Sequence, residues 1–415
     1  MSRMLERATQ VFLQHLSESH DVSDFRPVVN ALREALLLSG IEVSRIQIPM
    51  TKIAGFRHPR YWAVILTWSA RAGFDETYVV THDERARGED RASERTSERT
   101  SEEEGANVRA PPKDSPFYEL YSRSVTTYRV RLTEDRLDYP ILEKFKAQGR
   151  VDYLAFAIQL PGNPLPQFLS LCADAPFPDH VEATVEQLRD VLSLTLYASY
   201  RQSQAVEVSR VYLGDRTGPK VLQGAIARGH TSVIRAGLIF CDVRGYTAMS
   251  QRLGGPQTVV IMNEVFEVIG DATASEGGEI LKFIGDAMLI VFPLDDISEE
   301  QVARAMYRAI ETASTRVARV AERHTETLSA GFGCHMGEVV YGNIGTPSRL
   351  DFTVMGPSVN LTSRLESLTK TVGAPTLFSE EVAQHIPGLQ DAGRHALKGI
   401  RDPVRVFRSS DSRCA

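Results

Sequence analysis

The stretch that most restricts the fold is Lys282-Phe283-Ile284-Gly285-Asp286-Ala287-Met288, a charged turn set between two apolar runs. Gly278 to Leu281 lead into it, and Leu289, Ile290, Val291, Phe292 and Pro293 follow. A Gly-Asp pair between such runs predicts a β-hairpin, because both residues suit the backbone angles of a tight turn. A second carboxylate stands in similar surroundings upstream, where Asp242 follows the run Ala236-Gly237-Leu238-Ile239-Phe240-Cys241. Taken singly, Asp242 reads as a strand-end cap and Asp286 as a turn residue. Taken together at two strand ends, they have the oxygen chemistry to share a divalent cation.

The apolar rhythm around this hairpin extends the reading. It predicts a strand over 236–241, a helix over 256–275, the hairpin, a helix from 298 to about 325, and a second hairpin of Leu328 to Met336 with Glu338 to Ile344. The order βαββαβ is that of a ferredoxin-like α+β domain, with helices over one face of an antiparallel sheet. Such a fold hosts many activities, so function has to come from the site.

At 415 residues the chain exceeds what one core normally serves, which predicts two or three domains. Hydrophobic content of 42% and charged content of 24% are those of a soluble globular protein. The net charge of -6, without a basic block, gives no reason to expect nucleic acid as a partner. No apolar run approaches the roughly 20 residues of a spanning helix, and residues 1–20 lack a signal-peptide core, so the expectation is a cytoplasmic protein without membrane partners. Cys172, Cys241, Cys334 and Cys414 lack the spacing of a disulfide framework or zinc site.

Residues 1–205 read as a separate regulatory domain. Ser23 and Asp24 suit the cap of a helix with Val28, Val29, Leu32, Ala35 and Leu36 on one face, stopped by Gly40. Strands are expected over 41–48, 61–68, 77–82, 125–132, 153–160 and 167–172, with a cross-helix over 140–148 and a long closing helix from His180. Residues 83–114 repeat Ser-Glu-Arg-Thr with almost nothing apolar, which predicts a disordered charged insertion. Tyr61, Trp62, Trp68 and Phe74 read as core more readily than as a ligand pocket, and His58, His82 and His180 are isolated. The element order resembles a GAF-type sensor, though no residue motif carries that likeness. Residues 206–229 read as a helical linker, a spacer or a transmission element. The preceding helix is apolar on more than one face, as a helix paired with its copy would be.

Three separated motifs then come in order: Phe240-Cys241-Asp242-Val243-Arg244-Gly245-Tyr246-Thr247, Lys282-Phe283-Ile284-Gly285-Asp286-Ala287, and Val354-Met355-Gly356-Pro357-Ser358-Val359-Asn360-Leu361-Thr362-Ser363-Arg364-Leu365-Glu366. With Leu397-Lys398-Gly399, they make residues 230–410 resemble the class III nucleotidyl cyclase catalytic domain. The resemblance implies conversion of ATP to 3′,5′-cyclic AMP and pyrophosphate. It implies two Mg2+ or Mn2+ ions per site, held by Asp242, Asp286 and a main-chain carbonyl near Val243, with the segment Gly245, Tyr246 and Thr247 offering backbone N–H groups to the triphosphate. Asn360 and Arg364, four apart on one helix face, would orient the ribose and hold the α-phosphate, and Lys398 would meet the terminal phosphates. An exposed polar helix face is the plainer reading, as is pairing of Arg364 with Glu366.

Base choice rests, by the same resemblance, on Lys282 and Thr353, the residue three before Gly356. A Lys with a Thr resembles an adenylate-specific subgroup, some of whose members respond to bicarbonate, whereas guanylate cyclases pair Glu with Cys. Asp351, two residues away, leaves a shifted register open. Guanylate cyclase activity and a catalytically silent nucleotide-binding module are the alternatives. In the family the carboxylates and the base, ribose and phosphate contacts of one centre come from two domains. One chain with both sets therefore implies a homodimer with two composite sites, under the control of a signal at the N-terminal domain.

Overall fold

A computed structural model describes residues 24–50, 61–80 and 111–409, apart from 164, 225–228, 230 and 295–296, together with a few positions between 6 and 14. Ser23, His58, His82 and residues 83–110 of the expected insertion lie outside the described residues. The chain divides into two compact units, Met1–Val208 and Ser209–Ala415.

In the first unit, α1 (Arg26–Leu38) precedes β1 (Arg45–Met50), β2 (Tyr61–Ser69) and β3 (Gly73–Val80). After these come α2 (Phe117–Ser122), β4 (Thr127–Arg131), α3 (Pro140–Ala147), β5 (Asp152–Ile158), β6 (Gln167–Ala173) and α4 (Val181–Leu213). The six strands form one antiparallel sheet in the order β3-β2-β1-β6-β5-β4. Leu32, Leu36, Ile46, Leu154, Phe156, Leu171, Val185 and Leu188 form the core on one face, while Leu142, Phe145, Tyr153 and Phe168 form a second core on the other. That double covering is why every residue of β5 is buried rather than every second one. Asp152, fully buried within it, is neutralised by Arg129 at 2.8 Å and accepts the Phe177 N–H.

Trp68 and Phe74 pack against the first of these cores, as the plainer reading expected. His180 bonds the Ser39 carbonyl at 3.0 Å. Asp24 does support the start of α1, accepting from the Arg26 N–H at 2.9 Å, although the residue at the cap position is Phe25.

α4 runs unbroken to Leu213, into the stretch expected as a helical linker, Gly214 ends it at φ +86°, and the short α5 (Thr217–Leu222) follows. Among the described residues no helix is long and apolar enough to cross a membrane.

The second unit holds β7 (Thr231–Arg244), α6 (Tyr246–Leu253), α7 (Gly255–Ser275), β8 (Glu279–Ile284), β9 (Ala287–Pro293), α8 (Glu299–His324) and β10 (Ser329–Thr346). It continues with β11 (Arg349–Met355), α9 (Pro357–Val372), β12 (Thr376–Ser379), α10 (Glu380–Ala383), β13 (Gln390–His395) and β14 (Val404–Arg408). The order β10-β7-β9-β8, antiparallel throughout, is the expected ferredoxin-like sheet, extended beyond β10 by β12, β14 and β13. Residues alternate with period two. Ile239, Cys241, Val243, Met288, Ile290 and Phe292 face the core under α7 and α8, and Ala236, Leu238, Leu289 and Val291 face the other way. α8 starts on a capping box in which the Ser298 hydroxyl accepts the Gln301 N–H and Gln301 returns the bond.

Two expectations are corrected here. No hairpin breaks the segment around Gly337: β10 continues through it to Thr346, pairing with β7 along its length. The turn comes after Thr346, whose hydroxyl accepts the Arg349 N–H, and leads into β11. Gly337 serves close approach instead, since a Cβ there would lie 2.4 Å from the Ser358 hydroxyl of α9. Nor do all the helices share one face. Gly333 places its Cα where a Cβ would meet the Glu366 N–H at 2.2 Å, so α9 packs on the face of β10 opposite to Phe332, Cys334 and Met336.

Candidate active site

Asp242 sits near the C-terminal end of β7, opposite Ala287 of β9 and Gly331 of β10. Gly285 and Asp286 form the two-residue turn between Ile284 and Ala287, with Gly285 at φ +66° as such a turn requires. The Val243 N–H donates to the Asp286 carbonyl at 3.2 Å, so the turn is stitched to the strand that carries Asp242. The two aspartates expected to act together are thus neighbours at the same end of two paired strands.

Asp242 is engaged. Arg244, two residues on and therefore on the same side of β7, donates from Nη1 to Oδ1 at 2.6 Å, and Lys370 Nζ lies 3.9 Å from the same oxygen. The other arm of Arg244 reaches the Glu366 carboxylate and, at 2.7 Å, the Thr369 hydroxyl, both on α9. Glu366 therefore pairs with Arg244 and not with Arg364. Burial raises the Glu366 carboxyl above its ordinary range, against the pull of Arg244. Arg244, Thr369 and Lys370 were not singled out from the sequence, and Glu366 only as a partner for Arg364. The available signal was the i, i+2 spacing of Asp242 and Arg244.

Gly245 adopts φ +86°, and a Cβ on it would fall 2.1 Å from the Thr327 carbonyl oxygen, so only glycine fits. It caps α6, which opens with Tyr246 and Thr247. Lys282 lies on β8 beyond a register shift, where Ile280 pairs with Ile290 but Lys282 with Leu289. Its Nζ is ion-paired with Oδ2 of Asp351 on β11. Thr353 lies two residues along the same strand, opposite Gly342. Asn360 and Arg364 stand one turn apart on α9, both exposed, and Lys398 is exposed in the loop between β13 and β14. Among the described residues, no hydrogen bond or ion pair joins Asn360, Arg364 or Lys398 to Asp242 or Asp286.

The thiols have no part in this arrangement. Cys172, Cys241 and Cys334 are buried, and burial pushes all three above the usual thiol range, Cys172 to about 12.

Residues 230–399 match the family model described as the adenylate and guanylate cyclase catalytic domain. β14 carries the sheet nine residues beyond that match, to Arg408. Among curated relatives, an adenylate cyclase of Anabaena cylindrica is 35% identical over 162 residues, 38% of this chain and 32% of the relative. Adenylate cyclase 1 of Rhizobium meliloti (strain 1021) is 29% identical over 152 residues, 35% of this chain and 22% of the relative. The chain thus spans about a third or less of these two relatives' lengths. Among solved structures, the adenylyl cyclase CyaB from P. aeruginosa is 26% identical with a TM-score of 0.41, covering 44% of this chain and 97% of that one. The guanylyl cyclase Cya2 is 29% identical with a TM-score of 0.38, covering 43% and 92%.

Proposed function

We propose that the chain is an adenylate cyclase: the ribose 3′-oxygen of ATP attacks the α-phosphorus, the bond to the bridging oxygen breaks, and pyrophosphate leaves as 3′,5′-cyclic AMP forms. The observation that carries this reading is the juxtaposition of Asp242 and Asp286 at adjacent strand ends, inside the region matched by the cyclase family.

The donor set fits a hard cation held jointly with substrate. Asp242, Asp286 and the Val243 carbonyl are all oxygen donors, and among the described residues no cluster of three or more His, Cys, Asp or Glu side chains would hold an ion alone. Two Mg2+ or Mn2+ ions bound there would lower the 3′-hydroxyl pKa and offset phosphate charge. The chain's own groups do the rest. The N–H groups at the start of α6 bind the triphosphate, Asn360 orients the ribose, Arg364 meets charge building on the α-phosphate, and Lys398 binds the terminal phosphates. Lys282 donates to adenine N1, and Thr353 accepts from the 6-amino group.

Among the described residues, neither Asn360 nor Arg364 makes a hydrogen bond or ion pair with Asp242 or Asp286 of its own chain. This supports a homodimer in which each centre takes carboxylates from one copy and α9 from the other. Phe283, Ile284 and Met355 are exposed apolar side chains that such a pairing would cover. The N-terminal unit, GAF-like in its element order, would regulate by shifting the geometry of the pair. The test is product analysis of the purified chain with ATP or GTP and Mg2+ or Mn2+. Cyclic AMP, lost in Asp242→Ala and Asp286→Ala, is expected. Faster cyclic GMP formation would make it a guanylate cyclase, and no cyclic product a silent module.

A further inference from the structure

Asp242 is held before any cation reaches it. One planar guanidinium, that of Arg244, makes three contacts: Asp242 Oδ1 at 2.6 Å, the Glu366 carboxylate, and Thr369 Oγ1 at 2.7 Å. Glu366 and Thr369 are 5% and 4% exposed, so two of the three acceptors are walled off from water. The space is built for it. Gly331, opposite Asp242 on β10, is the residue at which a Cβ would fall 2.4 Å from Arg244 Nη2. Charge closes locally as well, with Asp242 and Glu366 set against Arg244 and the more distant Lys370.

We infer that Arg244 is a positioning residue. It fixes the Asp242 carboxylate at the end of β7 and, through Glu366 and Thr369, ties that strand end to α9, the helix carrying Asn360 and Arg364. A lysine could not do both, because its single ammonium lacks the fork that spans two elements. The tie has a cost for the same site: the charge that orients Asp242 also competes with a divalent cation for Oδ1. Arg244 therefore weakens resting metal affinity while raising turnover. In the proposed homodimer α9 serves the other centre, so the guanidinium also joins the two composite sites. The inference rests on the cyclase reading for its kinetic part only.

The test uses the full chain with Arg244→Met and Arg244→Lys. The double variant Arg244→Met with Glu366→Gln removes the buried carboxylate that Arg244→Met would orphan. Free Mn2+ binding is read by electron paramagnetic resonance without nucleotide, and amide exchange by mass spectrometry without metal. Arg244→Met and the double variant should bind Mn2+ about tenfold more tightly, the worth of one charge-assisted hydrogen bond. Their kcat should fall by at least about tenfold at little changed KM, since Asp242 is then misplaced in a bound complex. Exchange across residues 365–372 should quicken. Arg244→Lys should keep near-native Mn2+ affinity yet show the faster exchange. General structural damage would instead lower affinity and activity together, and that outcome in both Met variants, or unchanged exchange in α9, overturns the inference. Asp242→Asn separates the two readings: if it leaves Mn2+ binding intact, the metal assignment fails, and α9 exchange alone decides whether the tie exists.

Discussion

Lys282 on β8 and Asp351 on β11 are joined as an ion pair, although their strands are not neighbours in the sheet. The pair is exposed, at 38% and 51%, so it adds at most about 1 kcal/mol to stability. Its consequence is directional. Asp351 takes one donor of the ammonium and leaves the others aimed by that anchor.

If Lys282 reads the base, Asp351 is the residue that aims it, and Thr353 acts beside an already oriented lysine. Asp351→Ala should then lower kcat/KM for ATP by roughly tenfold and narrow the preference over GTP, with Tm changed by no more than about 4 °C. Comparing both nucleotides at fixed Mn2+ checks this. Unchanged selectivity would mean that Lys282 leaves Asp351 once nucleotide binds.

The proposed composite centre predicts complementation. In it Asp286→Ala removes one half of each site, and Arg364→Ala the other, so each homodimer should be inactive. A mixture should recover about a quarter of wild-type activity or less, because only heterodimers hold one intact centre. Activity of purified, mixed and re-equilibrated chains measures it. A mixture as inactive as either parent would sink the shared-site model.

The parts legible in the sequence were those with local causes. The hairpin at Gly285-Asp286, the strand leading to Asp242 and the helix from about Ser298 follow from turn chemistry and periodicity. What escaped was decided by tertiary contact. Gly337 reads as a turn but is a place where Ser358 approaches β10, and Gly331 leaves the room that the Arg244 guanidinium fills. Glu366, six residues from Asn360 and two from Arg364 in the same helical stretch, looked like a partner for Arg364. Which cation it meets depended on α9 lying across β10, which no local pattern states.

Gly245 offers a stability contrast with Gly285. Both have positive φ, but an added Cβ meets the Thr327 carbonyl oxygen at 2.1 Å in the first case and nothing within 4 Å in the second. Gly285→Ala should cost about 1 kcal/mol for the left-handed backbone alone. Gly245→Ala should cost roughly 3 kcal/mol or more, a Tm drop of about 6–12 °C for a unit of this size. Thermal unfolding of the two variants decides it, and equal losses would mean that the Gly245 turn relaxes freely.

The last expectation concerns acid. Glu381, at the start of α10, has its carboxyl lowered to about 2, mainly by the hydrogen bond with His335, whose Nδ1 lies 3.4 Å away and also meets the Ser379 hydroxyl. The folded value is below the unfolded one of 4.5, so the carboxylate stabilises the fold above pH 4.5 and that contribution fades as pH falls toward 2. With 48% of the Glu381 side chain exposed, solvent screening limits the effect to roughly 1 kcal/mol. Urea midpoints of wild type and Glu381→Gln should therefore differ at pH 5.5 and converge by about pH 2.5. A difference that stays constant through this window would assign the loss to packing around His335 rather than to the charge on Glu381.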